Sequence, residues 1–418
     1  MVMLSVLAIA AAWLLPAEAL HAAPAAQPSK AAAKTSNRKP VKRAAVANRD
    51  GQAEARLIDI YKLIGQANTR PALALAEKLV AEHPNFQLAQ LVYGDLLTAQ
   101  QRPVRALGNV ADTMAQSGSV QLAELRKESL LRLQALQTRP TPGTVPTQFL
   151  SLSPQNRHAI AIDTTRARLY LFENTATGMT LLADYYISVG KLGIEKTLEG
   201  DLRTPLGVYF VTSNLNRKSL KDFYGSGALP INYPNQLDLQ RGKTGSGIWL
   251  HGTPPDQFSR APLATDGCVV LANPDLERII RTVQIRTTPV VIAKSLQWVA
   301  PQSLQLETTA FETTHKAWAA DKSGSDIARV LSWYAPEFNS FGKSLADWTP
   351  TLQAELKKAA GRSTQLKDVS YLRWKDSSDT MVVTFAELNR GSAVGVVKRQ
   401  YWTRKSGQWK IFFEGVIG

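Results

Sequence analysis

Two hydrophobic periods divide the chain. From Ala53 to about Leu136, apolar side chains recur every three or four residues: Leu57, Ile60, Leu63 and Ile64, then Leu73, Leu75, Leu79 and Val80, then Leu88, Leu91, Val92 and Leu96. That spacing predicts amphipathic helices, interrupted near Asn68 to Pro71, at Pro84 and at Pro103, where proline or a turn residue breaks the pattern. The Pro-rich stretch RPTPGTVPTQF, 139–149, closes the helical part. Beyond it the period becomes two. Ala159 to Asp163, Ala167 to Phe172, Leu181 to Val189 and Gly207 to Thr212 alternate as strands do, a helix is expected over Asp275 to Val283, and Val290 to Ala293 reads as a last strand. A third pattern follows the loop at Pro301 to Glu307. Helices are expected around Phe311, Trp318 and Ala319, over Ile327 to Tyr334 and near Leu352 to Ala360. Alternating strands then run over Val369 to Trp374, Met381 to Leu388, Val396 to Trp402 and 409–416. Helices followed by an antiparallel sheet is an α+β order.

The expected architecture is therefore multidomain: an α-helical N-terminal region at 52–138, a mainly β domain at 150–295 and an α+β domain at 305–418. A length of 418 residues agrees, since single cores seldom grow that large. Upstream of all three, Met3 to Leu15 is an apolar run of signal-peptide length, followed by Pro16 and the small residues Ala17, Ala19, Ala22 and Ala23. We expect a signal peptide over 1–23, export to the periplasm or cell envelope, and a basic, Ala- and Pro-rich disordered linker over 24–51 that carries Lys30, Lys34, Arg38, Lys39, Lys42, Arg43 and Arg49. The apolar run is too short to span a bilayer, so no transmembrane segment is expected in the mature chain.

Forty-nine Lys and Arg against 34 Asp and Glu give a net charge of +15. The sign favours anionic partners without choosing among nucleic acid, lipid headgroups and wall polymers; the export signal disfavours nucleic acid. Cys268 is the single cysteine, which excludes an internal disulfide and the multi-thiolate zinc sites.

The chemistry concentrates in residues 247–279. Ile248, Trp249 and Leu250 lead into His251-Gly252, and after a loop come Thr265-Asp266-Gly267-Cys268 and the apolar Val269 to Leu271. A thiol needs a neighbouring base to become an effective nucleophile near neutral pH. Of five histidines, only His158 and His251 share the domain with Cys268. The residues alone leave open a buried, inert cysteine beside a loop histidine. Gly252 and Gly267 permit close backbone approach, and the N–H groups of 267 and 268 are candidate oxyanion donors.

This segment resembles the L,D-transpeptidase (YkuD-type) catalytic domain: a strand ending in His-Gly, then a loop, then Ser/Thr-x-Gly-Cys. The resemblance extends upstream through IDTTRARLYLFE (162–173), Ser188 to Lys191, and the Gly200-Asp201, Thr204-Pro205 and Gly207 to Tyr209 matches. It implies Cys268 as nucleophile, His251 as base, the Gly252 carbonyl as the group orienting the imidazole, and Thr265 with the 267 and 268 amides around the oxyanion. Two departures, Asp266 and Val270 where the family commonly has histidine and arginine, place the chain in a divergent T/S-D-G-C subgroup. The departures leave His251 as sole base and remove the usual substrate-carboxylate anchor, for which Arg260 and Arg241 are candidates, with Lys191 and Lys196 less favoured; Asp266 is expected to face a backbone donor or solvent. The C-terminal strands and the WKIFFE ending resemble an NTF2-like domain, in which His315 and Asp321 are expected to pack or to be solvated rather than to catalyse. The 72–97 stretch resembles a tetratricopeptide-type helical hairpin.

What the resemblance implies is a peptidoglycan-modifying cysteine acyltransferase that attacks an L,D-amide of a stem peptide through a thioester and passes the acyl group to an amine or to water, with no cofactor. Two alternatives stand beside it: an amidase or carboxypeptidase releasing tethered protein or a terminal D-residue, and a non-catalytic peptidoglycan-binding scaffold whose helical and NTF2-like parts recruit envelope proteins.

Overall fold

A computed structural model describes residues 51–109, 118–324, 326–359, 364–388 and 395–417. The expected signal peptide and all of the expected linker except Gly51 lie outside the described residues. The N-terminal region is helical, with α1 (Gln52–Gly65), α2 (Thr69–Glu82), α3 (Gln87–Ala99) and α4 (Ser119–Gln137). Successive helices pack on one another, α1 on α2 and α2 on α3, and α4 returns against α3. The apolar stripe buries Leu57, Ile60, Ala72, Ala76, Leu79, Leu88 and Val92, together with Phe258 and Ala272 from the central domain. The helical part thus has no closed core of its own.

Buried charge cements this seam. Arg168 of the central domain donates from Nη1 to Glu54 Oε1 at 2.8 Å and pairs with Asp184 at 3.1 Å, while Arg132 of α4 pairs with Glu54 at 3.0 Å and with Glu128 at 2.7 Å. Glu54, Glu128, Arg132 and Arg168 are all buried. Burial alone would raise the Glu54 carboxyl, but the guanidinium groups of Arg168 and Arg132 outweigh it and hold its pKa down to about 2.

The central domain is mostly β. Its main sheet has the order β4 (Gly178–Tyr186), β3 (Arg168–Thr175), β2 (His158–Asp163), β9 (Pro289–Ala293), β5 (Gly207–Phe210). A second, small sheet has the order β8 (Val269–Val270), β7 (Trp249–His251), β6 (Ala228–Pro230). The two sheets share one core, with Ile160, Ile162, Leu169 and Leu171 from the first against Leu229, Leu250 and Val269 from the second; after the short α5 (Gln236–Gln240), helix α6 (Asn273–Thr282) contributes Leu276 and Ile279. Fully buried strands read as continuous apolar runs rather than clean alternation, which is why HAIAID, PVVIA and the apolar runs at Ile248 to Leu250 and Val269 to Leu271 were visible as strands while the short β6 was not.

The C-terminal domain packs α7 (Gln305–Ser323), α8 (Ile327–Leu331) and α9 (Leu345–Ala359) on a curved antiparallel sheet of β10 (Gln365–Lys375), β11 (Asp379–Leu388), β12 (Val396–Lys405) and β13 (Gln408–Val416). Its fifth strand comes from elsewhere. β1 (Phe149–Ser151) pairs antiparallel with β10, Ser151 opposite Tyr371, so the chain enters the C-terminal sheet before it builds the central one. No helix among the described residues is long and apolar enough to cross a membrane.

Candidate active site

The small sheet brings the two chemical residues together. β7 and β8 run parallel with Leu250 beside Val269 and His251 beside Val270. Extending that register by one residue sets Cys268 beside Trp249, two rungs from His251, and residues two apart on a strand share a face. The Trp249 backbone hydrogen-bonds the Cys268 sulfur, and the thiol itself reaches the Gly247 carbonyl oxygen at 3.5 Å. Leu250 points the other way into the core, fully buried.

The imidazole is held in one orientation. His251 is buried, its Nδ1 lies 2.8 Å from the Gly252 carbonyl oxygen, and a carbonyl can only accept, so Nδ1 carries the proton and Nε2 keeps its lone pair. Tyr224 packs edge-on to the ring at 5.1 Å and Phe223 lies at 5.8 Å, a collar that the sequence pattern did not single out. Burial pushes the His251 pKa down to about 4, against the opposing Gly252 hydrogen bond and with the Arg260 charge adding to the fall. Burial likewise pushes the Cys268 thiol up to about 11, more than the Trp249 hydrogen bond lowers it. At neutral pH the resting pair is thiol and neutral imidazole.

The turn before Cys268 is set by Thr265 and Gly267. Thr265 Oγ1 accepts from the Gly267 N–H at 3.1 Å and donates to the Cys268 carbonyl at 2.7 Å. Gly267 has φ +123°, and a Cβ there would stand 2.7 Å from the Arg203 carbonyl oxygen, so only glycine fits. This corrects the expected oxyanion set: the Gly267 N–H is spent on the Thr265 hydroxyl and the hydroxyl proton on the Cys268 carbonyl, leaving the Cys268 N–H as the donor that Thr265 does not occupy.

The expected substrate-binding side chains separate. Arg241 is a structural clamp, bidentate to Asp376 of the C-terminal sheet at 2.7 Å and bonded to Ser378, a correction forced by the contact between the two domains. Lys191 and Asp266 pair with each other at 2.8 Å on the surface, so Asp266 faces a cation and solvent. Lys196 is buried and paired with Asp201 at 2.7 Å. Arg260 alone stays with the chemistry. Its guanidinium lies 4.5 Å from the Phe223 ring centroid, close enough to bear on both His251 and Cys268, with Nε buried and without a hydrogen-bond partner. It lines a cavity of ≈ 430 Å³ whose other wall is helical, with Gln87, Gln121 and Glu124. His158 is bonded to Gln284 at 3.0 Å; His315 is buried against Trp318 and Tyr371 in the C-terminal core, and Asp321 accepts from Trp333.

The loop from His251 to Cys268 is pinned from both sides. Phe258 stacks on Phe86 at 4.3 Å, its N–H donates to the Asn85 carbonyl at 3.0 Å, and Ser259 donates to Glu128 at 2.8 Å. On the other side the Tyr186 hydroxyl donates to the Arg260 carbonyl at 2.9 Å. Nothing in the periodicity signals these contacts, because they join segments more than 70 residues apart. Among the described residues, no group of three or more His, Cys, Asp or Glu is arranged to hold a metal ion.

Comparison with known proteins identifies two of the domains. Residues 157–292 match the L,D-transpeptidase catalytic domain (YkuD), and residues 310–415 match the Cds6 C-terminal NTF2-like domain. Among solved structures, Bd1075 of Bdellovibrio bacteriovorus is 23% identical, with a TM-score of 0.56 over 65% of this chain and 98% of that one. Pgp2 of Campylobacter jejuni, described as a helical cell shape determining protein, is 23% identical, with a TM-score of 0.50 over 69% of this chain and 99% of that one. No curated protein matches the chain. The chain carries a YkuD L,D-transpeptidase catalytic domain followed by a Cds6-type NTF2-like domain.

Proposed function

We propose that the protein is an exported, cell-envelope cysteine acyltransferase acting on peptidoglycan stem peptides. The observation that carries the reading is the parallel pairing of β7 with β8, which seats a thiol two rungs from, and on the same face as, an imidazole whose Nδ1 is tied to Gly252 and whose Nε2 keeps its lone pair for a proton. Cys268 Sγ attacks the carbonyl carbon of an L,D-amide while its proton passes to His251 Nε2. The Cys268 N–H supports the oxyanion, and collapse expels the amine with the proton from His251, leaving a thioester. An amine or water then attacks the thioester and gives its proton to His251, the thiolate leaves, and His251 passes that proton to sulfur. Arg260 is the candidate anchor for the substrate carboxylate, and the cavity it shares with α3 and α4 receives the remainder of the stem. Thiol, imidazole and backbone amide suffice for acyl transfer. The likeness to Pgp2 supports a role in wall remodelling tied to cell shape, and the hairpin-like helices serve as the brace that holds the His–Cys loop.

The test is incubation of purified muropeptides with the wild type and Cys268→Ala, followed by mass spectrometry. Crosslinked dimers show an amine acceptor; loss of a terminal residue shows water. Identical products from the two proteins would end the enzymatic reading in favour of a scaffold.

A further inference from the structure

Six cationic side chains are buried among the described residues: Arg132, Arg168, Lys196, Lys322, Lys398 and Arg399. Five of them sit within 4 Å of a carboxylate. Arg399 does not. Its neighbour Lys398 shows the usual arrangement, facing the opposite side of the sheet toward Glu355, Glu387 and Glu414 at 2.8, 2.7 and 3.3 Å. Arg399 is only 6% exposed, donates from Nε to Thr384 Oγ1 at 3.0 Å, and lies with its guanidinium against the Phe210 ring. A buried charge without a counter-ion is strongly disfavoured, so folds keep few of them.

Arg399 opens onto space between the central and C-terminal domains. Two cavities, of ≈ 440 and ≈ 460 Å³, are both lined by Arg399, Arg286 and Ile417. The first is walled by Phe210, Phe341 and Phe413, with Asn232 and Gln236 at its rim, and its lining holds two arginines and no acid. The Tyr401 hydroxyl in it is buried, with Asn232 as its neighbour. The second cavity holds Asp368, which pairs with neither arginine among the described residues. Neither is lined by Cys268, His251 or Arg260.

We propose that the first cavity is a binding site for a carboxylate carried on an apolar body, of the kind presented by the free C-terminal residue of a peptide. The planar guanidinium of Arg399 matches the two oxygens of a carboxylate, Arg286 adds a second charge from the rim, and the phenylalanines receive the apolar body. A ligand there touches both domains and joins them, so occupancy stabilises their contact. The site stands whichever acceptor the catalytic thioester uses.

Titration calorimetry on the full chain tests this with three probes: N-acetyl-Ala-Phe with a free carboxylate, its C-terminal amide, and inorganic phosphate. The free acid is expected to bind, the amide at least tenfold more weakly. Arg399→Gln is expected to abolish the signal and Arg286→Gln, an exposed change that leaves the core intact, to weaken it severalfold. Arg260→Gln should retain binding, which separates this site from the catalytic cleft. Equal binding of acid and amide, or full binding by both the Arg399 and Arg286 variants, would overturn the proposal, as would Arg399-dependent binding of phosphate alone. Loss of the signal in Arg260→Gln with retention in Arg399→Gln would assign the probe to the cleft and overturn it equally.

Discussion

The resting state of the Cys268–His251 pair makes a prediction that runs against the usual picture of a reactive cysteine. Burial raises the thiol to about 11 and lowers the imidazole to about 4. At pH 7 a thiol with that pKa is about 0.01% ionised, against roughly 3% for a free cysteine near 8.5, a deficit of about 300-fold. A more basic thiolate is intrinsically more nucleophilic by roughly tenfold over this range, so the net expectation is alkylation about 20- to 30-fold slower than N-acetylcysteine. The assay is the rate of iodoacetamide labelling at Cys268, read by mass spectrometry from pH 5 to 10. The rate should climb tenfold per pH unit to the top of the range. His251→Ala should leave that climb in place while lowering turnover by about 10² to 10⁴, because the imidazole acts in the transition state and not by holding a thiolate at rest. Labelling faster than N-acetylcysteine at pH 7, or a plateau below pH 8 that vanishes in His251→Ala, would show an ion pair and refute this account.

Three further outcomes follow from the packing. Glu54→Gln should destabilise the fold by about 3 kcal/mol at pH 7, since a carboxyl held roughly 2.5 units below its usual 4.5 contributes about that much. Because the folded-state pKa is the depressed one, the contribution is full above about pH 4.5 and fades as the pH falls toward 2; urea denaturation of both proteins at pH 7 and pH 3 reads the difference, and a gap that does not shrink in acid contradicts it. Gly267→Ala forces a Cβ to within 2.7 Å of the Arg203 carbonyl at φ +123°, so turnover should fall at least tenfold with a stability cost of about 1 to 3 kcal/mol, measured by thermal unfolding and muropeptide conversion. Phe258→Ala removes a stacked aromatic at the helical seam and should cost about 3 kcal/mol; kcat/KM should drop as well, because Arg260 lies two residues along the same loop, and unchanged kinetics would deny the helices any part in the site.

The three-part order was legible because each part has its own hydrophobic period, and the His-Gly and Thr-Asp-Gly-Cys segments were legible because strand, turn glycine and thiol fall in one short stretch. Contacts across the parts were not. Arg241 looked free in sequence, yet its guanidinium ends on Asp376, 135 residues away. The oxyanion set failed for a smaller reason: whether a threonine hydroxyl points at substrate or at the next N–H is a matter of one side-chain rotation, which no spacing encodes. Helix α4 shows the same limit, since the residues it buries include Glu128, Ser129 and Arg132, a polar face that reads as solvent-exposed until its partners Glu54 and Ser259 are known.

That polar face bears on how the catalytic loop keeps its shape. A loop of this kind between base and nucleophile, closed only by its own turns, would sample many arrangements, and the position of Arg260 with it. Here Glu128 is held by Arg132, Arg132 by Glu54, and Glu54 by Arg168 of the central sheet, so the acceptor that fixes Ser259 is itself anchored back in the catalytic domain. The chain of ion pairs begins on β3, crosses two helices and returns to the loop. Each link is buried, and breaking any one leaves an uncompensated charge rather than a solvated one. The helical region is therefore a structural part of the candidate site's wall, and on the proposed function its removal should lower turnover even where the thiol and imidazole remain untouched.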